Sequence, residues 1–113
     1  MRGPRVVDSV SAAARRAVPV AYRNMTNQSG PGAWRGFEIS EVISLAPTAS
    51  ETPDIAYLRR VALRLCGARQ VDAAWVVAID FPSAGSALFS RSAAYFLYSG
   101  TRWRFWFNTW LQR

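Results

Sequence analysis

The chain has 113 residues, half of them hydrophobic, 13% aromatic and 19% charged, a composition that folds and has enough to bury for one core. Its net charge is +7, yet it contains no histidine, no lysine and one cysteine, so all 14 positive charges are arginine. Those absences exclude a Ser-His-Asp or Cys-His nucleophile, a histidine-bound metal, a Schiff-base lysine and a P-loop lysine.

The charge is distributed in three blocks: +5 over residues 1–36, −4 over 37–54 and +6 over 55–113. Such a basic chain is drawn to phosphates, anionic lipids or acidic proteins. Exclusive use of arginine is most simply codon bias of a GC-rich genome, so it carries no argument for bidentate recognition. No apolar run approaches the roughly 18 residues of a membrane span.

Taken in chain order, Val6, Val10, Ala13 or Ala14 and Ala17 recur at helical spacing and predict a short, optional helix before Pro19. Its apolar side is thin, and residues 1–33 are read as an arm or short helix plus a linker around Asn27–Gly32, preceding a single α+β domain over 34–113. Gly30, Gly32 and Gly36 miss the dinucleotide-binding spacing and follow no strand, so no cofactor is expected. Phe37, Ile39, Ile43 and Leu45 then alternate with polar residues and predict a strand with those four on one face. Glu41 falls on that apolar face, which requires a strand end, an outward bulge or an arginine partner.

Thr52-Pro53-Asp54 has the form of a helix start, with a capping hydroxyl, proline at the first position and an acid in the first turn. Ile55, Leu58, Ala62 and Leu65 continue it as an apolar stripe that Gly67 stops, with Arg59, Arg60 and Arg64 on a solvated face and Cys66 as a small packing residue. Val71, Ala73, Trp75, Val77, Ile79 and Phe81 alternate as a strand. Asp80 near its end is expected to pair with an arginine. A hairpin follows, Ala93–Tyr98 and Trp103–Asn108 about a turn at Ser99–Arg102. This order predicts an α+β fold, one main helix on a curved antiparallel sheet of about four strands, of the cystatin-like or NTF2-like cone type.

Trp103–Leu111 holds three of the five tryptophans. As a helix it would present one aromatic stripe with Arg104 and Asn108 opposite, suited to a membrane interface. Its aromatic content and the turn before it favour a strand. In a strand of strict period two, Trp106 and Trp110 share a face with Arg104, and Tyr98 and Arg102 lie nearby across the hairpin. These five residues form the candidate binding face, because Trp, Tyr and Arg dominate interface hot spots. The alternative is that a second layer covers that face as core. No metal ligands and no paired carboxylates are evident; an acid–base enzyme would require a polar cavity containing Asp80 or Glu41. Nucleic acid is disfavoured, since no module signature is present and the basic residues are dispersed.

Cys66-Gly67, Trp75-Val76-Val77, Phe81-Pro82, Tyr95-Phe96-Leu97 and Trp103-Arg104-Phe105-Trp106 together resemble short exported proteins of GC-rich actinobacteria, a group with no assigned activity. The resemblance covers about the last half of the chain. It implies export or a cell-envelope setting, although no secretory signal is readable at the N-terminus, and it supplies no catalytic residues. The expected function is therefore a non-enzymatic binding or interaction module, self-associating through its aromatic/Arg face. The alternative is a peripheral protein of membranes or other anionic surfaces.

Overall fold

A computed structural model describes residues 4–22, 35–46, 52–65, 67–82, 91–99 and 101–111. The predicted linker at Asn27–Gly32 and Cys66 lie outside them. Four antiparallel strands, β1 (Glu38–Ser44), β2 (Trp75–Asp80), β3 (Arg91–Ser99) and β4 (Arg102–Trp110), form one sheet in the order β1-β2-β3-β4. Helix α1 (Pro4–Ala21) lies on one face, and α2 (Pro53–Leu65) and the short α3 (Ala68–Ala73) lie on the other. The architecture is thus α+β with helices packed on a four-stranded antiparallel sheet. No described helix is long and apolar enough to cross a membrane.

Helix α1 is longer and more deeply buried than its sequence suggests. It runs through Pro19, whose missing amide costs little because the residue four before it, Arg15, is exposed and can give its carbonyl to water. Val6, Val10, Ala13, Ala14 and Val18 are all buried in one core cluster, together with Tyr22 just beyond the helix. The thin alanine face is compensated from the other side. Small helix residues let the backbone approach the sheet, which supplies the bulk as Phe81, Phe96, Trp103, Phe105 and Trp110.

Both edge strands carry a bulge, and each reverses the face expected from strict alternation. In β1 the register shifts between Ile39 and Glu41, so Phe37, Ile39 and Val42 face α1 whereas Ile43 and Leu45 face α2. The four residues expected on one face are therefore divided between two. Ser40, at the bulge, donates from Oγ to the Ala78 carbonyl at 3.2 Å.

Around α2 the cap is as expected: the Ile55 amide donates to Thr52 Oγ1 at 3.2 Å. Leu58 and Ala62 are buried, but Leu65, expected on the stripe, is exposed at the end of the helix. Gly67 is extended, with φ −71°, and begins α3 rather than closing α2 in a left-handed turn. The segment Ala68–Ala73, read as the start of a strand from Val71, is helical instead; Ala, Arg and Gln favour a helix, and Val71 is buried from it. Arg59 leaves its supposed solvated face. Its Nη2 meets Asp72 Oδ1 at 2.8 Å and its Nη1 donates to the carbonyl of buried Leu45, joining α2, α3 and the end of β1.

Candidate functional site

The C-terminal segment is a strand, but it does not assemble the expected aromatic/Arg face. Tyr95 pairs with Phe107 and Phe96 with Phe105, leaving Trp106 as the extra residue of a bulge. Trp106 accordingly packs on the α2 side, edge-on to Tyr95 at 6.5 Å and to Phe107 at 4.7 Å. Trp110 packs on the α1 side, edge-on to Tyr22 at 5.9 Å and tilted against Phe81 at 6.0 Å. The two tryptophans are thus on opposite faces, each partly buried against a different core cluster. Arg104 is exposed opposite Leu97, and Arg102 is exposed opposite Ser99. Tyr98 is about half exposed, at 46%, and touches Trp103 edge-on at 5.3 Å. Only these last three present themselves to solvent, along the hairpin end and the free edge of β4.

That edge is the open side of the sheet. Strand β1, at the opposite edge, is broken by its bulge and carries exposed Glu38 and Glu41. Strand β4 spans nine residues, and its charges are confined to Arg102 and Arg104; Phe105–Trp110 carry none. Both edges carry a bulge, so what sets β4 apart is the lack of charge along Phe105–Trp110, charge being the other usual protection of an edge.

A second feature lies between α2 and the sheet: a cleft of about 850 Å³. Its wall is the first half of α2, with Thr52, Asp54, Ile55, Tyr57 and Leu58. Its floor comes from all four strands, and successive cross-strand rows give it an amphipathic grain. One row, Ile43-Val76-Tyr95-Phe107, is apolar. The next, Glu41-Ala78-Ala93-Thr109, has two alanines at its centre. Beyond it, Glu38 and Asp80 pair in register with Arg91.

Arg91 is the centre of the polar end. Its Nε lies 3.5 Å from Asp80 Oδ1 and its Nη2 lies 3.8 Å from Glu41 Oε1. The expected arginine partner of Asp80 is therefore Arg91, and Glu41 resolves its position both by the bulge and by the same arginine. The two carboxylates converge on one guanidinium. At the apolar end, Tyr95 donates its hydroxyl to the Leu58 carbonyl at 2.9 Å and stacks on Phe107 at 4.2 Å. Burial, and secondarily the nearby Tyr57, raises the Tyr95 phenol well above the ordinary tyrosine value.

The described residues contain no cluster of three metal-ligating side chains. Sequence reasoning did not find Arg91, Tyr57 or the alanine pair. Nothing in the spacing of Ala78 and Ala93 reveals that they sit side by side; that follows only from the strand register. No family model, no curated protein and no solved structure matches the chain.

Proposed function

We propose that this protein is a non-enzymatic interaction module that self-associates through the free edge of β4, two copies extending their sheets into one. The observation that supports this reading is the uncharged, aromatic stretch Phe105–Trp110 on an edge strand whose side chains are already packed, on one side against α1 and on the other into the second core cluster. With its faces occupied, what β4 has to offer is its row of backbone donors and acceptors, and strand addition uses that row.

Antiparallel pairing about a two-fold axis between Trp106 and Phe107 suits the charges. It sets Arg104 opposite Thr109 of the second copy, and both face the α2 side, to judge from their partners Leu97 and Ala93. It also sets Trp103 opposite Trp110, both on the α1 side. The two Arg104 side chains then stand five residues apart along the ladder, about 17 Å at roughly 3.4 Å per residue, beyond the screening length at physiological salt. The bulge at Trp106 confines the new ladder to the residues on either side of it.

Light-scattering chromatography at low and high salt tests the reading, with a dimer of the 12.6 kDa chain expected at both. Thr109→Arg should place like charges opposite each other twice and shift the mass to monomer. Thr109→Glu should place a carboxylate against Arg104 and tighten the dimer. A wild-type monomer at all concentrations overturns the proposal. In that case the exposed Arg102 and Arg104 make an anionic surface the next partner to examine, by salt-dependent co-sedimentation with anionic vesicles.

A further inference from the structure

The cleft under α2 owes its volume to the two alanines at its floor. Ala78 and Ala93 are directly paired neighbours on β2 and β3, where the adjoining row on the same face carries Val76 and Tyr95. A small pair flanked by large residues leaves a hollow that the first half of α2 roofs without filling. The hollow has one apolar end, at Ile43, Val76 and Leu58, and one ionic end, at Glu41 and Arg91. At about 850 Å³ it has the size of a small-molecule site.

We propose that this cleft binds an amphipathic cation, an ammonium group carried on a short apolar body. The sign follows from the charges around it. Glu41 and Asp80 lie against Arg91, and Asp54, in the first turn of α2, also lines the cleft, so the carboxylates around it outnumber the one guanidinium. Arg91 is engaged by two of those carboxylates and has little attraction left for an anion. The positive end of α2 is likewise satisfied, by the Thr52 cap and by Asp54 in the first turn. Glu41 remains 61% exposed at the side chain despite its arginine, within reach of an incoming cation. Tyr57, half-exposed at the wall, presents an aromatic ring, the other side-chain type that attracts an ammonium group. On a chain of net charge +7 this is a local acidic pocket over an apolar floor. The groups that would meet the cation, Glu41, Asp54 and Tyr57, belong to β1 and α2, although Trp110 and Leu111 at the end of β4 also line the cleft.

Isothermal titration of the full chain with octylammonium, octanol and octanoate, each below its micelle concentration and at fixed ionic strength, tests the proposal. Octylammonium should saturate at one per chain and bind about tenfold more tightly than octanol, with octanoate weakest. Glu41→Gln, at an exposed position, should weaken octylammonium about two- to fivefold and leave octanol unchanged. Ala93→Leu should fill the hollow and abolish binding of all three. Octanoate binding as tightly as octylammonium, or no saturable binding of any probe, overturns the proposal. So does full affinity in a folded Ala93→Leu protein, with folding checked by circular dichroism. Where that variant fails to fold, the Glu41→Gln result decides alone, and unchanged octylammonium affinity overturns the assignment.

Discussion

The Tyr22 phenol and the Ser92 hydroxyl meet in a buried hydrogen bond of 2.8 Å that joins positions 70 residues apart. Ser92 Oγ also accepts from Asn108 Nδ2 at 3.1 Å and donates to the Thr109 carbonyl at 3.3 Å. A serine hydroxyl has one proton and two lone pairs, so with its proton directed at Thr109 it receives Tyr22 as a donor and is fully satisfied. One small buried side chain near the start of β3 thereby ties the residue after α1 to β3 and β4.

Removing that hub should cost more than removing one spoke. Ser92→Ala removes the partner shared by the Tyr22 hydroxyl, the Asn108 amide and the Thr109 carbonyl and is expected to lower stability by about 1–3 kcal/mol. Tyr22→Phe deletes only the donor and leaves Ser92 its other two partners, for a cost of about 1 kcal/mol. Urea unfolding of both variants measures the order, and a larger loss in Tyr22→Phe would show that the ring, not the network, matters there.

Alkaline pH should unfold the protein through its buried phenols. Burial raises Tyr22 far above the ordinary value, its Ser92 bond offsetting this slightly, and burial raises Tyr95 as well. A phenol whose folded value is raised contributes stability that is fully present below the unfolded value of about 10 and is lost as pH rises beyond it. Stability should therefore fall above pH 10, by about 1 kcal/mol per pH unit for each tyrosine. Urea midpoints between pH 8 and 11.5 read this directly, and Tyr22→Phe should halve the slope.

The same arrangement predicts what happens without α1. A fragment beginning at residue 34 uncovers Val77, Ile79, Phe81, Ala94 and Phe96 on one sheet face, all of which are buried in the whole chain. An apolar face of that extent should bind a hydrophobic dye and lose cooperative unfolding. A fragment that melts sharply at the full chain's temperature would instead establish residues 34–113 as a self-sufficient domain.

Elements with one unbroken period could be read from sequence, and those that change face could not. Strand β2 alternates from Trp75 to Phe81 without interruption, and α2 announces its start at Thr52-Pro53-Asp54. A bulge, by contrast, adds a residue without a sequence mark, so the face of Ile43 relative to Ile39, and of Trp110 relative to Trp106, comes out reversed. The role of α1 was hidden for a different reason: its alanines bury little themselves, and their value lies in the aromatic side chains that the sheet brings to them. The cleft depends on cross-strand neighbours, which register alone determines. The aromatic residues of Trp103–Trp110 are divided between the two core clusters, one on each face of the sheet.

Arg59 provides a test of whether a half-buried arginine is worth more than its ion pair. Its visible partner is Asp72 at 2.8 Å, but the Asp72 side chain is 41% exposed, and pairs of that kind contribute about 0–1 kcal/mol. The Leu45 carbonyl is different, because Leu45 is fully buried and its oxygen accepts from Arg59 Nη1. Arg59→Met keeps the apolar stem and abandons that carbonyl, which should cost about 1–3 kcal/mol. Asp72→Asn removes only the charge and should cost under about 1 kcal/mol, with the difference between wild type and variant disappearing in high salt. Equal losses in the two variants, both abolished by salt, would reduce the α2–α3–β1 junction to a surface ion pair.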